Sequence, residues 1–257
     1  MHSPTIEILG VRVNPLTVGE LHDRLAHLID GHAHAQVLHV NVHGLNLAVG
    51  NPWLRDFFNR AEIIICDGAG VMLGARLLGQ HIPERITYAD WMWQLGEFAE
   101  QHGFSFYFLG AKPGVAQAAA ERMLARFPQL KIVGVRDGYF DKQAGHADNE
   151  AVLAHINTAK PNILIIGLGM PLQEQWLRDN WDRIDANIAL TGGAVFDYIS
   201  GELQRAPSWM TDHGLEWLGR LAIEPGRLWQ RYIVGNPVFL ARVLKQRLFP
   251  SVGNSTD

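Results

Sequence analysis

Six short runs of the chain are apolar at nearly every position: QVLHV (36–40), EIIIC (62–66), FSFYFL (104–109), KIVGV (131–135), NILIIG (162–167) and NIALT (187–191). A strand with one wet face alternates apolar and polar side chains. A strand without that alternation has to be covered on both sides. The cover lies between the runs, where VAQAAAERMLARF (115–127) and NEAVLAHINTA (149–159) space apolar residues near the helical period of 3.6. Strands joined by helical crossovers pair in parallel. The expectation is an α/β fold: a Rossmann-like, mostly parallel sheet with helices on both faces. Ahead of it, IEILG and VRVN read as a small hairpin.

In such sheets ligands bind beyond the carboxyl ends of the strands, so the residues after each run carry the functional signal. Asn41 and His43 follow the first run and would share a face with His39 if the strand continues. Asp67, Gly68 and Gly70 follow the second, and GAKPG, with Gly110 and Lys112, follows the third. The fourth gives RDGYF, with Asp137 and Tyr139. The fifth gives GLGMPLQEQW, with Gly169, Gln173 and Glu174, and the sixth gives TGGAVFD, with Asp197. One glycine turn is ordinary chain reversal. Glycines, amides and carboxylates collected along one sheet edge point to a binding cleft.

Asp67 has two available roles. It either caps the following helix or serves as a base on a substrate hydroxyl. Lys112 meets a phosphate or is a solvated turn residue. Asp137 and Tyr139 line a donor pocket, with Tyr139 equally suited to the core. Asp197 orients a sugar hydroxyl or caps the next element. Trp91 and Trp93 read as packing residues.

Charge shifts along the chain. The net charge is -4, which argues against a general nucleic-acid binder. From Leu203 onward seven Lys and Arg stand against four Asp and Glu, and Trp209, Trp217 and Trp229 cluster there. The expected division is a catalytic core over 1–202 and a helical C-terminal appendage over 203–257. Pro225 should end a helix over 213–223 and start another, on which Arg227 and Arg231 share a face. The appendage's apolar residues either pack on the core or enter a bilayer interface beside Arg242, Lys245 and Arg247. The single cysteine, Cys66, allows no internal disulfide and fits a reducing compartment. MHSPTIEILG lacks the charged start and apolar run of a signal peptide. No stretch reaches the roughly 20 apolar residues of a membrane-spanning helix.

Several stretches stand together in a known order: CDGAGVMLGARLLG (66–79), FLGAKPGVAQAAAERM (108–123), GYF (138–140), GLGMPLQEQW (167–176), GGAVFDYISG (192–201) and RAPSWMTDHGLEWLGRLAIEPGRLWQRY (205–232). In these the chain resembles the WecG/TagA/CpsF family of bacterial glycosyltransferases. The resemblance implies transfer of a sugar from a nucleotide donor, usually a UDP-sugar, to a polyprenyl-diphosphate-linked saccharide. It also implies an inverting reaction without metal or other cofactor. Asp67 is then the base, Asn41 helps form the site and Gln173 binds the donor. The appendage closes the site, brings arginines to the diphosphate and touches the inner membrane from the cytoplasmic side. Some positions depart from the family pattern. His39 stands where many members have threonine, Leu172 where many have a basic residue, and ITYADWMW (86–93) where a glycine often precedes the aspartate. The TYADW form resembles the branch making xanthan-type exopolysaccharides, which favours UDP-glucose, with UDP-N-acetylmannosamine or its uronic acid as the other donors. A homo-oligomer stays open.

Inverting transfer needs a base, positive partners for the leaving diphosphate and shelter from water. Without a DxD motif in the sequence, and with His39 and His43 lacking a carboxylate partner, arginine is the better phosphate ligand. Arg205, Arg220, Arg227 and Arg231 are the candidates, with Arg220 equally placed for a helix salt bridge to Glu216 or Glu224. Three rivals remain. A nicotinamide enzyme needs GxGxxG where this chain has VNVHGLN. A hydrolase of the nucleotide sugar would use water in place of the acceptor. A non-catalytic peripheral membrane module, binding nucleotide or lipid phosphate, would make Asp67 dispensable.

Overall fold

The computed structural model describes residues 5–249, without the side chains of Ser208, Asp212 and Arg227. The chain opens with β1 (Ile6–Ile8) and β2 (Val11–Val13), an antiparallel hairpin, as expected, and then α1 (Val18–Asp30). Next come β3 (Ala35–Val40), α2 (Val42–Gly50), α3 (Pro52–Arg60), β4 (Ile63–Cys66), α4 (Ala69–Leu77) and α5 (Tyr88–His102). The second half supplies β5 (Ser105–Gly110), α6 (Val115–Arg126), β6 (Lys131–Arg136), α7 (Ala147–Ala159), β7 (Ile163–Gly167), α8 (Leu172–Asn180), β8 (Ile188–Thr191) and α9 (Val195–Ser200). Each apolar run became a strand, displaced by at most one residue at either end.

The sheet order is β4-β3-β8-β7-β5-β6, and every neighbouring pair is parallel. The chain moves outward from β3 to β4 on one side and from β5 to β6 on the other. It fills the centre last, with β7 and β8. The carboxyl ends of β3, β4, β7 and β8 therefore surround the point where the strand order switches, the usual seat of a ligand in this architecture.

Both faces of the sheet are covered, which is why the strands read as continuous apolar runs. Leu38, Val40, Ile64, Cys66, Leu164 and Ile166 face one cluster, shared with the hairpin, α3 and α8. Val37, Ile63, Ile65, Phe106, Phe108 and Ile165 face the other, shared with α1, α5 and α6. The β4 edge is closed by Asn14, whose backbone N–H donates to the Ile64 carbonyl and whose side-chain oxygen accepts from the Ile64 N–H, both at 2.8 Å. That pairing leaves this edge no unsatisfied peptide group at Ile64 to offer a stray strand.

Beyond α9 lie α10 (Ser208–Asp212), α11 (Glu216–Ile223), α12 (Pro225–Trp229), a π-helical turn over Gln230–Val234 and α13 (Gly235–Leu248). The helix expected over 213–223 begins at Glu216 instead. Gly214, at φ +72°, turns the chain between α10 and α11. Pro225 does open the next helix, where its missing N–H costs nothing. In α13, Phe239 and Val243 are buried in the core cluster that α2 and α4 also line. Two basic residues considered for a bilayer surface are bonded to the core: Arg242 Nη1 donates to the Asn46 side-chain oxygen at 2.8 Å, and Arg247 Nη1 to the Leu77 carbonyl at 2.8 Å. Among the described residues no helix is long and apolar enough to cross a membrane.

Candidate active site

A cavity of about 730 Å³ lies over the carboxyl ends of β3, β4, β7 and β8, with α11 to α13 as its other wall. Asp67 stands on its floor. Its backbone N–H still donates to the Val40 carbonyl at 2.9 Å, continuing the pairing of β4 with β3. Gly68 then turns the chain at φ +103°, a conformation that excludes other side chains, and serves as the N-cap of α4. No side chain caps that helix. The Asp67 carboxylate is thus not spent on capping α4. Asn41 is the contrasting case. Its side-chain oxygen accepts from the Gly44 N–H at 3.0 Å and caps α2, so its part in the site is to fix the chain beneath it.

The electrostatics of Asp67 follow from its setting. Burial pushes its carboxyl above the usual aspartate range, while the charges of Arg231, Arg220 and Arg85 and the Thr87 hydroxyl pull it back. The outcome is a carboxylate more basic than a solvated one, held among cations. His39 Nε2 stands 4.0 Å from Asp67 Oδ2, and its Nδ1 is 3.4 Å from the Thr191 hydroxyl. Burial pushes the His39 imidazole down to about 4, with Thr191 opposing the shift and Arg231 adding to it. Burial and Arg231 push His43 to about 4 as well. Both rings are therefore neutral at pH 7 and act as hydrogen-bonding groups. Among the described residues no three of His, Cys, Asp and Glu side chains come together as a metal-holding group.

Gln173 ties two loops together. Its Oε1 accepts from the Gly169 N–H at 3.1 Å and the Gly193 N–H at 3.0 Å, joining the turns after β7 and β8. Its Nε2 donates to Glu174 Oε1 at 2.8 Å. With its oxygen doubly occupied, Gln173 offers a ligand only the rest of its amide. Glu174 is fully buried, and burial pushes its carboxyl up to about 7 against the pull of the Gln173 bond.

The cavity gathers His39, Asn41, Asp67, Gly68, Gly70, Gly169, Gln173, Arg220 and Arg231 from the residues expected at the site. Gly110, Lys112, Asp137, Glu174, Tyr139 and Asp197 do not line it. Gly110 has a structural reason for its identity: at φ +144°, a Cβ there would stand 2.3 Å from the Gly167 carbonyl oxygen. Asp137 accepts from the Tyr139 N–H at 2.8 Å, and Tyr139 is 67% exposed, which removes its core alternative. Asp197 lies in the first turn of α9. Arg205 bonds Asp90 at the start of α5 and Glu216 on α11, the latter at 3.2 Å. It fastens the appendage to the core. Glu216 bonds Arg205, and Arg220, the other partner considered for it, lies over the Tyr198 ring, 5.6 Å from its centroid, within reach of the Glu216 charge. The Arg227 side chain lies outside the described residues.

The sequence reading missed Arg85, Thr87, Tyr88 and Tyr198, all of which line the cavity. The first three belong to a segment without glycine turns or an apolar run, and it reaches the site because the Ile86 N–H donates to the Cys66 carbonyl at 3.1 Å. Arg85 Nη1 in turn donates to the Thr211 carbonyl at 3.0 Å. The available signal was the departure of ITYADWMW from the family pattern, and the structure shows that it meets another: His39 lies edge-on to Tyr88, with centroids 4.9 Å apart.

The cavity thus holds a sheltered carboxylate facing arginines at the switch point of a Rossmann-like parallel sheet. The Glycosyl transferase WecG/TagA/CpsF family model matches residues 6–253, and the chain belongs to that family. It is a glycosyltransferase, as its named relatives are. The N-acetylglucosaminyldiphosphoundecaprenol N-acetyl-beta-D-mannosaminyltransferase of Bacillus subtilis (strain 168) is 30% identical over 220 residues, 86% of this chain and 83% of the relative. The enzyme of that name from Bacillus spizizenii is 32% identical over 198 residues, 77% of this chain and 74% of the relative. One from Staphylococcus aureus (strain NCTC 8325 / PS 47) is 23% identical over 246 residues, 94% of this chain and 93% of the relative.

Proposed function

We propose that the protein moves a sugar from a UDP-sugar to a polyprenyl-diphosphate-linked saccharide, with inversion, in the assembly of a cell-surface glycan. The observation that carries this reading is the Asp67 carboxylate, unspent on its helix and made more basic by burial, opposite Arg220 and Arg231. Asp67 takes the proton of the acceptor hydroxyl as its oxygen attacks the anomeric carbon. The bond from that carbon to the diphosphate breaks on the opposite side, and UDP leaves with the electron pair. Arg220 and Arg231 balance the charge on the departing diphosphate. The appendage wall keeps water from the oxocarbenium-like centre.

The relatives' names carry N-acetylmannosamine as the sugar moved and N-acetylglucosaminyldiphosphoundecaprenol as the acceptor. That pair is accordingly preferred here, ahead of the UDP-glucose suggested by the TYADW form. A lipid-linked acceptor places the enzyme peripherally on the cytoplasmic face of the inner membrane. Trp209, Ile223, Trp229, Ile233, Leu248 and Phe249 are exposed on the appendage and suit an interfacial contact. The test is a transfer assay with UDP-N-acetylmannosamine, its uronic acid and UDP-glucose, each against lipid-linked N-acetylglucosamine and glucose, in chelator. One extended lipid product is expected. Tight UDP-sugar binding with no product from any pair would favour the non-catalytic module.

A further inference from the structure

Tyr88 opens α5 and its ring is held on two sides. His39 meets it edge-on at 4.9 Å, and Trp91 at 5.1 Å with the planes 79° apart. The ring cannot swing without displacing both neighbours. Tyr88 is 4% exposed and lines the cavity, yet among the described residues its hydroxyl has no hydrogen-bond partner. Buried hydroxyls are almost always bonded, and a fixed one without a partner forfeits that free energy until something supplies an acceptor.

Its surroundings define the missing partner. Burial, with Asp67 and Glu174 adding to it, pushes the phenol well above its ordinary pKa, so at neutral pH it is an O–H donor. The partner is therefore a hydrogen-bond acceptor that enters the cavity beside Asp67, where two sugars meet. A sugar hydroxyl supplies such an acceptor.

We propose that Tyr88 is a specificity-determining residue, whose hydroxyl donates to one hydroxyl of a sugar bound next to Asp67 and thereby selects which sugars are accepted. The proposal rests on the glycosyl-transfer reading above. A site built to hydrogen-bond a substrate hydroxyl discriminates strongly against analogues lacking it, because its own polar group is then left unpaired.

The experiment pairs Tyr88→Phe, which removes one oxygen and keeps the packing, with monodeoxy versions of the donor sugar and of the acceptor sugar. In the wild type, one deoxy substrate should lose about tenfold to a hundredfold in kcat/KM. Tyr88→Phe should lose a similar factor with the parent sugars and lose nothing further with that same deoxy substrate. Whether the coupled position lies on the donor or on the acceptor identifies the sugar being read. The melting temperature, measured alongside, should stay within a few degrees of wild type. Independent losses at every position of both sugars, or full kcat/KM in Tyr88→Phe, would overturn the proposal while leaving the transferase reading intact. A wild-type enzyme that extends no lipid-linked acceptor would remove that reading, and this proposal with it.

Discussion

Replacing Glu174 by glutamine should change how stability depends on pH. Glu174 is fully buried, and its carboxyl is pushed up to about 7 from an ordinary 4.5. The native state thus keeps the proton to higher pH than the unfolded chain does. The carboxyl's contribution to stability is complete below pH 4.5 and is lost as pH rises through 7. At about 1.4 kcal/mol per pKa unit the loss is about 3 kcal/mol. His22, His39 and His43, each pushed down to about 4 chiefly by burial, work in the opposite sense. Their contribution is complete above the 6.5 of a free imidazole and is lost as pH falls through 4. The readout is therefore the difference between wild type and Glu174→Gln, from urea unfolding at intervals between pH 4.5 and 8. Glutamine keeps an oxygen for the 2.8 Å bond from Gln173 but cannot titrate. The variant should gain about 3 kcal/mol on wild type across that range. A difference that stays flat with pH would show that Glu174 is not held protonated by burial, and the reasoning would fail.

Asp67→Asn should keep the fold and UDP-sugar binding while transfer falls by about a hundredfold to ten-thousandfold, measured in single turnovers with the lipid-linked acceptor. Because Arg231 and Arg220 lower the Asp67 pKa, Arg220→Gln or Arg231→Gln should move the acidic limb of the kcat/KM profile to higher pH. A limb that stays in place would separate these arginines from the base. Gly110→Ala forces a Cβ against the Gly167 carbonyl, and urea unfolding should show a loss of about 3 kcal/mol or more. Phe239→Ala empties a buried seat against α4, and its unfolding midpoint should fall by an amount corresponding to about 3–5 kcal/mol.

The sheet was legible because both of its faces are buried, so each strand announced itself as an unbroken apolar run. The turn residues after β3, β4 and β7 were legible for a related reason: in a parallel sheet the switch-point strands end in the cleft. Position along the sheet was harder to read. Lys112, Asp137 and Tyr139 follow β5 and β6, which the topology puts at the far side, and nothing in a one-dimensional sequence states that order. Arg85 and Tyr88 were missed because a backbone bond from Ile86 to Cys66, rather than a strand end, brings them in. The appendage arginines were all phosphate candidates in the sequence. Arg205 became a fastener because Asp90, 115 residues away, meets it. The transferase assignment drew on the set of family motifs more than on any single residue.

Helix α13 also ties back to the opening hairpin. Gln246 accepts from the Leu9 N–H at 2.9 Å and donates to the Glu7 carbonyl at 3.2 Å, across 237 and 239 positions of sequence. The same helix supplies Phe239 to the core and borders the cavity. During synthesis the hairpin and sheet strands leave the ribosome first, but the wall that shelters Asp67 is made last. A nascent chain stalled before α13 has Asp67 and lacks part of its enclosure. Enclosure of Asp67 is thereby reserved for chains translated through α13.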